Sequence, residues 1–215
     1  MSAPRPLRFL ISAGPTREFI DPVRFLSNRS SGKMGYALAR AARRRSPHVT
    51  LVSGPVALQP PRGVTIVPVT TTAELAAALA KHFHRCDVLI MAAAVCDFRP
   101  RHPARSKIAK SITGRRLILE LVENPDLVAR LGRRKKHQIV IGFAAETNDL
   151  LAHAQEKLRR KHLDLIVAND ARAMDADTNQ VTLLSPDGRV ERLPDLPKVE
   201  VARRIIERAI ALTAR

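Results

Sequence analysis

Residues Ile11–Gly35 read ISAGPTREFIDPVRFLSNRSSGKMG, and their reading decides the fold. A short apolar strand, Leu7 to Ser12, delivers the chain into this stretch, and an Ala-rich helix, Lys33 to Arg45, leaves it. Between them lie Pro15, Pro22, Arg24 and the polar run Ser27-Asn28-Arg29-Ser30-Ser31-Gly32. Connections between a first strand and a first helix usually take 2–6 residues, so a longer one marks a site. The helix N-terminus that follows offers free N–H groups and the positive end of a dipole, which suits a phosphate or carboxylate.

Two common phosphate motifs fail here. A P-loop needs G-x-x-x-x-G-K-[ST], but Gly32-Lys33 is followed by Met34 and Ser27 stands where the first glycine belongs. A dinucleotide fingerprint needs G-x-G-x-x-G, and Gly14 has no glycine two residues on. The loop is an anion-binding loop of another kind.

Outward from it, the chain alternates. His48 to Pro55 and Val64 to Val69 read as strands around a Pro60-Pro61-Arg62-Gly63 turn. Thr70-Thr71-Thr72 caps a helix over Ala73 to Phe83. Asp87 to Val95, DVLIMAAAV, is a continuous apolar run of the kind that forms a central parallel strand buried on both faces. Cys96 to Lys110 is a Pro-broken cationic flap with Asp97 at its mouth. Arg116 to Glu123 alternates Leu117, Leu119 and Leu121, which predicts a strand with one apolar face. Asn124-Pro125-Asp126 opens a helix to Arg134, with Pro at the first helical position and Asn or Asp as the cap.

Gln138 to Glu146 predicts a second buried strand that brings Phe143, Glu146 and Thr147 to the rim. Leu150 to His162 is an amphipathic helix with Lys157 and Lys161 one turn apart on one face. Leu163 to Asp170 is a third buried strand, ending in Asn169-Asp170. Val181 to Ser185 and Arg189 to Leu193 flank Pro186-Asp187-Gly188 as a β-hairpin. Lys198 to Ala214 closes the chain as a helix with Val199, Ala202, Ile205, Ile206, Ala209 and Ile210 as its apolar stripe. This order implies one α/β domain over residues 1–215, Rossmann-like and three-layered, with a mostly parallel sheet. The loops after Ser12, Val52 and Val95 then share one rim, beyond the carboxyl ends of the strands, where such sheets hold ligands.

Composition bounds the function. With 215 residues at 45% hydrophobic the chain can build a substantial core. It has no run of 18 apolar residues to span a membrane, and the N-terminal apolar run lacks a cleavage site, so a cytoplasmic protein is expected. Cys86 and Cys96 do not make a disulfide framework, and no Cys/His spacing matches zinc. The net charge of +17 invites a nucleic-acid reading. Against it, aromatics are 3% with no Trp, and none interleave with the basic clusters Arg43-Arg44-Arg45 and Arg133-Arg134-Lys135-Lys136. Those clusters fall at helix C-termini, where cations complement the dipole. A solvated basic surface that attracts polyanionic substrates is the better reading. A short-chain dehydrogenase is excluded too: Tyr36, the one tyrosine, is followed four residues on by Arg40 instead of Lys.

The motifs together resemble those of the phosphopantothenate–cysteine ligase family of coenzyme A biosynthesis. The similarity is carried by Gly14–Glu18, Asp21–Arg24, Ser27-Asn28 and Ser30–Gly35, then by Ala93–Phe98, Lys107–Lys110, Asn124–Val128, Gly142–Thr147 and Leu163–Asp170, in the family's order. The resemblance implies a ligase that activates the carboxylate of 4′-phosphopantothenate as an acyl-nucleotide, with CTP as the bacterial cosubstrate, ATP as the alternative, and Mg²⁺ carried mainly by the triphosphate. Cysteine then displaces the nucleotide. By the same resemblance Asn28 and Lys107 are catalytic, and Arg24, Asn28, Ser31, Gly32 and Lys33 bind the acyl substrate. Met91, Ala92, Ala93, Asp97, Lys107, Pro125, Asp126, Leu127, Val128, Phe143, Lys157 and Lys161 bind the nucleotide. Metal-contacting residues are not assigned. Both catalytic residues are present, against a fold that binds nucleotide but has lost activity. The resemblance further implies a homodimer joined through the flap and the Arg116–Glu123 strand. It implies no FMN, because this chain starts at the ligase motif, and a separately encoded decarboxylase as functional partner. Neither nucleic acid nor membrane is an expected partner.

Overall fold

The computed structural model describes residues 5–110, 114–146, 150–170 and 177–214. Thr147, expected on the rim, lies outside the described residues. The central strands are β1 (Arg8–Ala13), β4 (His48–Ser53), β5 (Thr65–Pro68), β6 (Val88–Met91), β9 (Ile139–Glu146), β10 (Leu165–Asp170), β12 (Val181–Leu184) and β13 (Val190–Arg192). They form one sheet in the order β13-β12-β10-β9-β6-β1-β4-β5. Strands β10 through β5 in that order are parallel, while β12 and β13 are antiparallel additions at one edge. The expected hairpin is therefore an extension of the main sheet.

The first crossover runs from β1 to β4 on one side, through helix α1 (Lys33–Arg43). The chain then returns past β1 to β6, through α2 (Thr72–Phe83). It continues outward through α3 (Leu127–Arg134) to β9 and α4 (Leu150–Arg160) to β10. Strand order thus reverses between β1 and β6, and a crevice opens at such a point. Right-handed crossovers in opposite directions put α1 on one face and α2, α3 and α4 on the other. The closing helix α5 (Lys198–Thr213) returns to the α1 face. Two apolar layers result. One packs Ile11, Leu38, Ile90, Ile141, Ile205 and their neighbours; the other packs Leu10, Leu75, Leu89, Val140, Leu158 and theirs. The alternation Leu10/Ile11 and Leu89/Ile90 between layers is the period of two of a strand buried on both faces. Gly35 lets α1 press onto β1, since a Cβ there would lie 2.4 Å from that of Ala13. Among the described residues no helix is long and apolar enough to cross a membrane.

Several sequence expectations are corrected. The apolar run from Asp87 stops being strand at Met91, because the next residues are captured by the first loop: Ala94 N donates to Gly14 O at 2.9 Å and Thr16 N donates to Ala94 O at 3.1 Å. That loop itself folds into a ribbon of β2 (Arg17–Phe19) and β3 (Phe25–Ser27). Of the predicted Arg116–Glu123 strand, only β8 (Leu121–Glu123) pairs, with β7 (Phe98–Pro100). Leu117 and Leu121 are each 42% exposed and Ile118 is 90% exposed, because the protomer offers their apolar side nothing to lie on. Pro125 precedes the cap of α3 instead of starting the helix; Asp126 is the cap, accepting Ala129 N at 2.9 Å. In α5, Val199 faces solvent and Val201 is fully buried. Thr71 does cap α2, accepting Glu74 N at 3.2 Å while Glu74 reaches back to Thr70 N at 2.7 Å.

Candidate active site

The β1–β6 crevice is built from the bottom by backbone. Ser12 Oγ accepts Ala93 N at 3.1 Å and donates to the Met91 sulfur at 3.6 Å, so the end of β1 fixes the bend that follows β6. Behind the bend a buried polar network holds the ribbon. Thr16 Oγ1 accepts Cys96 N at 2.9 Å and the Thr72 hydroxyl at 3.1 Å, and Glu18 accepts Thr72 N at 2.9 Å. Asn124 donates to Cys96 O at 2.9 Å and, through its own N–H, to Asp97 O at 2.7 Å. Thr16, Glu18 and Asn124 therefore position the site from beneath. Cys96 is a buried packing residue; burial raises its thiol pKa and leaves it a poor nucleophile.

In front of the bend, Asn28 donates its amide to Ala94 O at 3.2 Å and Val95 O at 3.0 Å. Gly32 takes a left-handed conformation (φ 74°) and starts α1 with no side-chain cap. The N-cap residue therefore supplies no side-chain acceptor to the N–H groups of the first turn of α1. They border a cleft of about 160 Å³ lined by Ser30 to Gly35, Ala92 to Ala94, Phe143, Asn169, Asn179 and Lys198. Ser31, Gly32 and Lys33 are thus brought together with Ala92, Ala93 and Phe143. Lys33 reaches Asp177 at 2.6 Å across the mouth. The hydrogen bond and charge of Lys33 lower the Asp177 pKa, and the charge of Lys198 adds to this.

The remaining residues of interest lie elsewhere. Met91 is 3% exposed, with its side chain in the core beneath. Asp97 is exposed just beyond the bend, and Leu127 is buried under the start of α3. Asp126, which follows Pro125 and stands two residues before Val128, pairs with Lys161 at 3.1 Å, and Lys157 is half-buried one turn earlier on α4. This group belongs to the α3–α4 face, opposite α1 and α5. Lys107 is exposed on the flap. Its neighbour Ile108 is pinned: Ile108 N donates to Asp21 at 3.2 Å, and Arg24 donates to Ile108 O at 2.9 Å. Arg24 also meets the Asp21 carboxylate, which accepts Val23 N and Arg24 N as well. Those contacts, led by the Arg24 side chain, hold the Asp21 carboxyl well below the usual carboxylate range. Ser30 and Met34 stood within the expected loop motif without a role of their own, while Asn179 and Lys198 were not expected at the site. The last two had only an unremarkable turn and a helix start to announce them.

The match to known proteins spans this whole arrangement. The sequence profile of the family described as DNA/pantothenate metabolism flavoprotein C-terminal domain matches residues 5–212. The chain belongs to this family. A Bacillus subtilis relative, the coenzyme A biosynthesis bifunctional protein CoaBC, is 45% identical over 209 residues, which is 95% of this chain and 51% of that protein. The chain thus spans about half the length of the curated relatives it matches. The crystal structure of a CoaBC C-terminal domain superposes with a TM-score of 0.84 at 43% identity, covering 97% of each chain. A Cab2 point mutant in complex with phosphopantothenate-cysteine shares the fold, with a TM-score of 0.79 at 19% identity over 98% of this chain and 87% of that one. The Rossmann-like fold expected of the family is the one observed.

Proposed function

We propose that this chain is a phosphopantothenate–cysteine ligase of coenzyme A biosynthesis, using CTP. One observation carries the reading. Ser31, Gly32 and Lys33, expected to hold the acyl substrate, share one cleft with Ala92, Ala93 and Phe143, expected at the nucleotide, beside the bend that Asn28 grips. The Asp126–Lys161 pair, also expected at the nucleotide, lies on the α3–α4 face. A reaction that brings a carboxylate to a triphosphate needs groups for both substrates at one point.

In the first step a carboxylate oxygen of 4′-phosphopantothenate attacks the α-phosphorus of CTP. The bond from that phosphorus to the bridging oxygen breaks, and pyrophosphate leaves. In the second, the cysteine amine attacks the acyl carbon, the acyl–oxygen bond breaks, and CMP leaves as the amine proton passes to solvent. The first step drives anion against anion, so cations must reduce the repulsion. Lys107 serves this role from the flap, with Lys157 and Lys161 on the nucleotide phosphates. Arg24, Ser31, Gly32 and Lys33 hold the acyl substrate. Asn28 steadies the acyl-nucleotide carbonyl. Backbone groups around Pro125–Val128, with Met91–Ala93, Asp97 and Phe143, receive the nucleotide. Among the described residues no cluster of three or more His, Cys, Asp or Glu could hold a metal ion. Magnesium would arrive on the triphosphate and screen its charge. The product, an N-acyl cysteine, passes to a decarboxylase. A homodimer through the flap and the Arg116–Glu123 segment, with the exposed Phe98 and Leu121 on β7 and β8, and a cytoplasmic setting belong to the same reading.

The test is pyrophosphate release by the purified protein with phosphopantothenate, cysteine and Mg²⁺, under CTP and then ATP. Turnover with CTP and little with ATP is expected. Preference for ATP would keep the reaction and overturn the base. No release with either from folded protein would sink the enzyme reading and return attention to the basic surface, whose salt-dependent affinity for duplex DNA would then be measured.

A further inference from the structure

The inner wall of the cleft comes from a part of the chain far from the loop motifs. The two-residue strands β11 (Thr178–Asn179) and β14 (Leu196–Pro197) pair antiparallel, with Asn179 opposite Leu196. Lys198 follows at once as the first residue of α5, and its N–H donates to Asp177 O at 3.0 Å. This small ribbon delivers two polar side chains to the same cleft, Asn179 at 4% exposure and Lys198 at 6%. Lysine is among the residues least often buried to this degree, and here its charge already acts on Asp177 beside Lys33. Among the described residues the buried Asn179 carboxamide oxygen has no hydrogen-bond donor. A buried acceptor left unmade costs about 1–3 kcal/mol, and such groups in native proteins call for a partner. Asn179 lines the cleft, so a molecule that enters it lies beside this amide.

The rest of the cleft sorts by chemistry. Lys33 and the first turn of α1 stand at one end. Ala92, Ala93, Ala94, Met34 and Phe143 give apolar wall between polar points. An acyl chain with a terminal phosphate, a branched apolar middle and hydroxyl or amide N–H donors has the complementary order of groups. We propose that Asn179 and Lys198 are binding residues of the acyl-substrate subsite: the Asn179 oxygen accepts from a hydroxyl or amide N–H of the acyl chain, and the Lys198 ammonium, with Lys33, takes its terminal phosphate. The assignment rests on the ligase reading and names two residues that reading did not contain. Asp177, which Lys33 already holds at 2.6 Å, is then the resident anion that the phosphate replaces on Lys33.

The roles separate with paired substrates. Steady-state constants would be measured for phosphopantothenate and for its dephosphorylated form, pantothenate, with the nucleotide saturating, in the wild type, Lys198→Met, Lys198→Arg and Asn179→Leu. Asn179→Asp, near-isosteric and retaining an acceptor, covers the case in which Leu does not fold. In Lys198→Met the wild-type preference for the phosphorylated substrate should shrink by 10-fold or more, and Lys198→Arg should restore most of it. Asn179→Leu should raise KM for both acyl substrates by a similar factor of about 10, with KM for the nucleotide unchanged. Asn179→Asp should keep pantothenate binding closer to wild type than Leu does. An unchanged phosphate preference in Lys198→Met, or an unchanged acyl KM in a folded Asn179 variant, overturns the assignment while the wild type still turns over. A wild type that does not turn over fails the ligase reading itself, and the subsite falls with it.

Discussion

Arg24 holds Ile108 across 84 positions of sequence, donating to its carbonyl at 2.9 Å, while its Nε donates to the Asp21 carboxylate at 2.9 Å. Asp21, fully buried, also accepts the Ile108 N–H, so the pair clasps one flap residue by both its backbone groups. Lys107 immediately precedes Ile108, so a carboxylate–guanidinium clasp fixes the backbone beside the lysine to which the proposed function gives a catalytic role. Asp21→Asn removes the charge that fixes Arg24. Its expected effect is faster amide exchange at Ile108 together with a fall in kcat of about 10- to 100-fold, the scale of a small misplacement of a reacting group. Unchanged exchange at Ile108 would disprove the clasp.

In the proposed function the Asp126–Lys161 pair has two purposes that mutation can separate. Asp126 caps α3 through Ala129 N, and loss of such a cap costs about 1 kcal/mol, or about 2–4 °C in Tm for a chain of this size. Asp126→Ala should therefore melt earlier. Lys161→Met leaves the cap in place and should raise KM for the nucleotide by about 10-fold, with KM for the acyl substrate unchanged. A rise confined to the acyl substrate would place the nucleotide elsewhere.

Exposed apolar side chains gather on the ribbons in front of the sheet. Phe19 and Phe25 meet edge to face at 6.0 Å, and Phe98 is 53% exposed on β7 beside β8 with Leu121. The dimer proposed above would cover Phe98 and Leu121. Phe98→Asp with Leu121→Asp should convert a dimer to a monomer in light scattering at micromolar concentration. A wild type that is monomeric at that concentration would rule the dimer out.

Asp87 ties the opposite end of the sheet. Burial alone would raise its pKa, but the Arg5 side chain, Arg8 N–H and Arg8 side chain outweigh burial and bring it from 3.8 to about 2. A carboxyl depressed on folding stabilises the native state above its unfolded pKa, and that stabilisation is lost as pH falls through the folded one. Wild-type stability in urea should therefore drop between about pH 4 and pH 2, and Asp87→Asn should be less stable at neutral pH with a flatter curve over that window. Partial solvent screening limits the contribution to about 1–2 kcal/mol. An equally steep drop in the variant would assign acid loss to other groups.

Much was written in local pattern. The runs Leu7–Ser12, Asp87–Val95 and Leu163–Asp170 read as buried strands, the second overrunning the strand that ends at Met91, and Lys33–Arg45 and Lys198–Ala214 read as helices with one apolar side. From strand–helix alternation the parallel sheet and its rim followed, because crossovers of this kind have one hand. Ser31, Gly32 and Lys33 were legible as part of a site because a long polar loop before a helix N-terminus has few other uses. What the sequence could not decide was pairing between distant segments. Nothing local announces that Thr16 captures the chain after Met91, that Asp21 clasps Ile108, or that a two-residue ribbon turns Asn179 and Lys198 inward. Those contacts join residues dozens of positions apart, and each depends on loop geometry that exists only once the sheet has set the ends of the loops. Local pattern determined the framework and the chemistry available to it. Tertiary structure decided which of those groups share a cleft, since a side chain's burial and partners belong to the neighbours the fold brings to it.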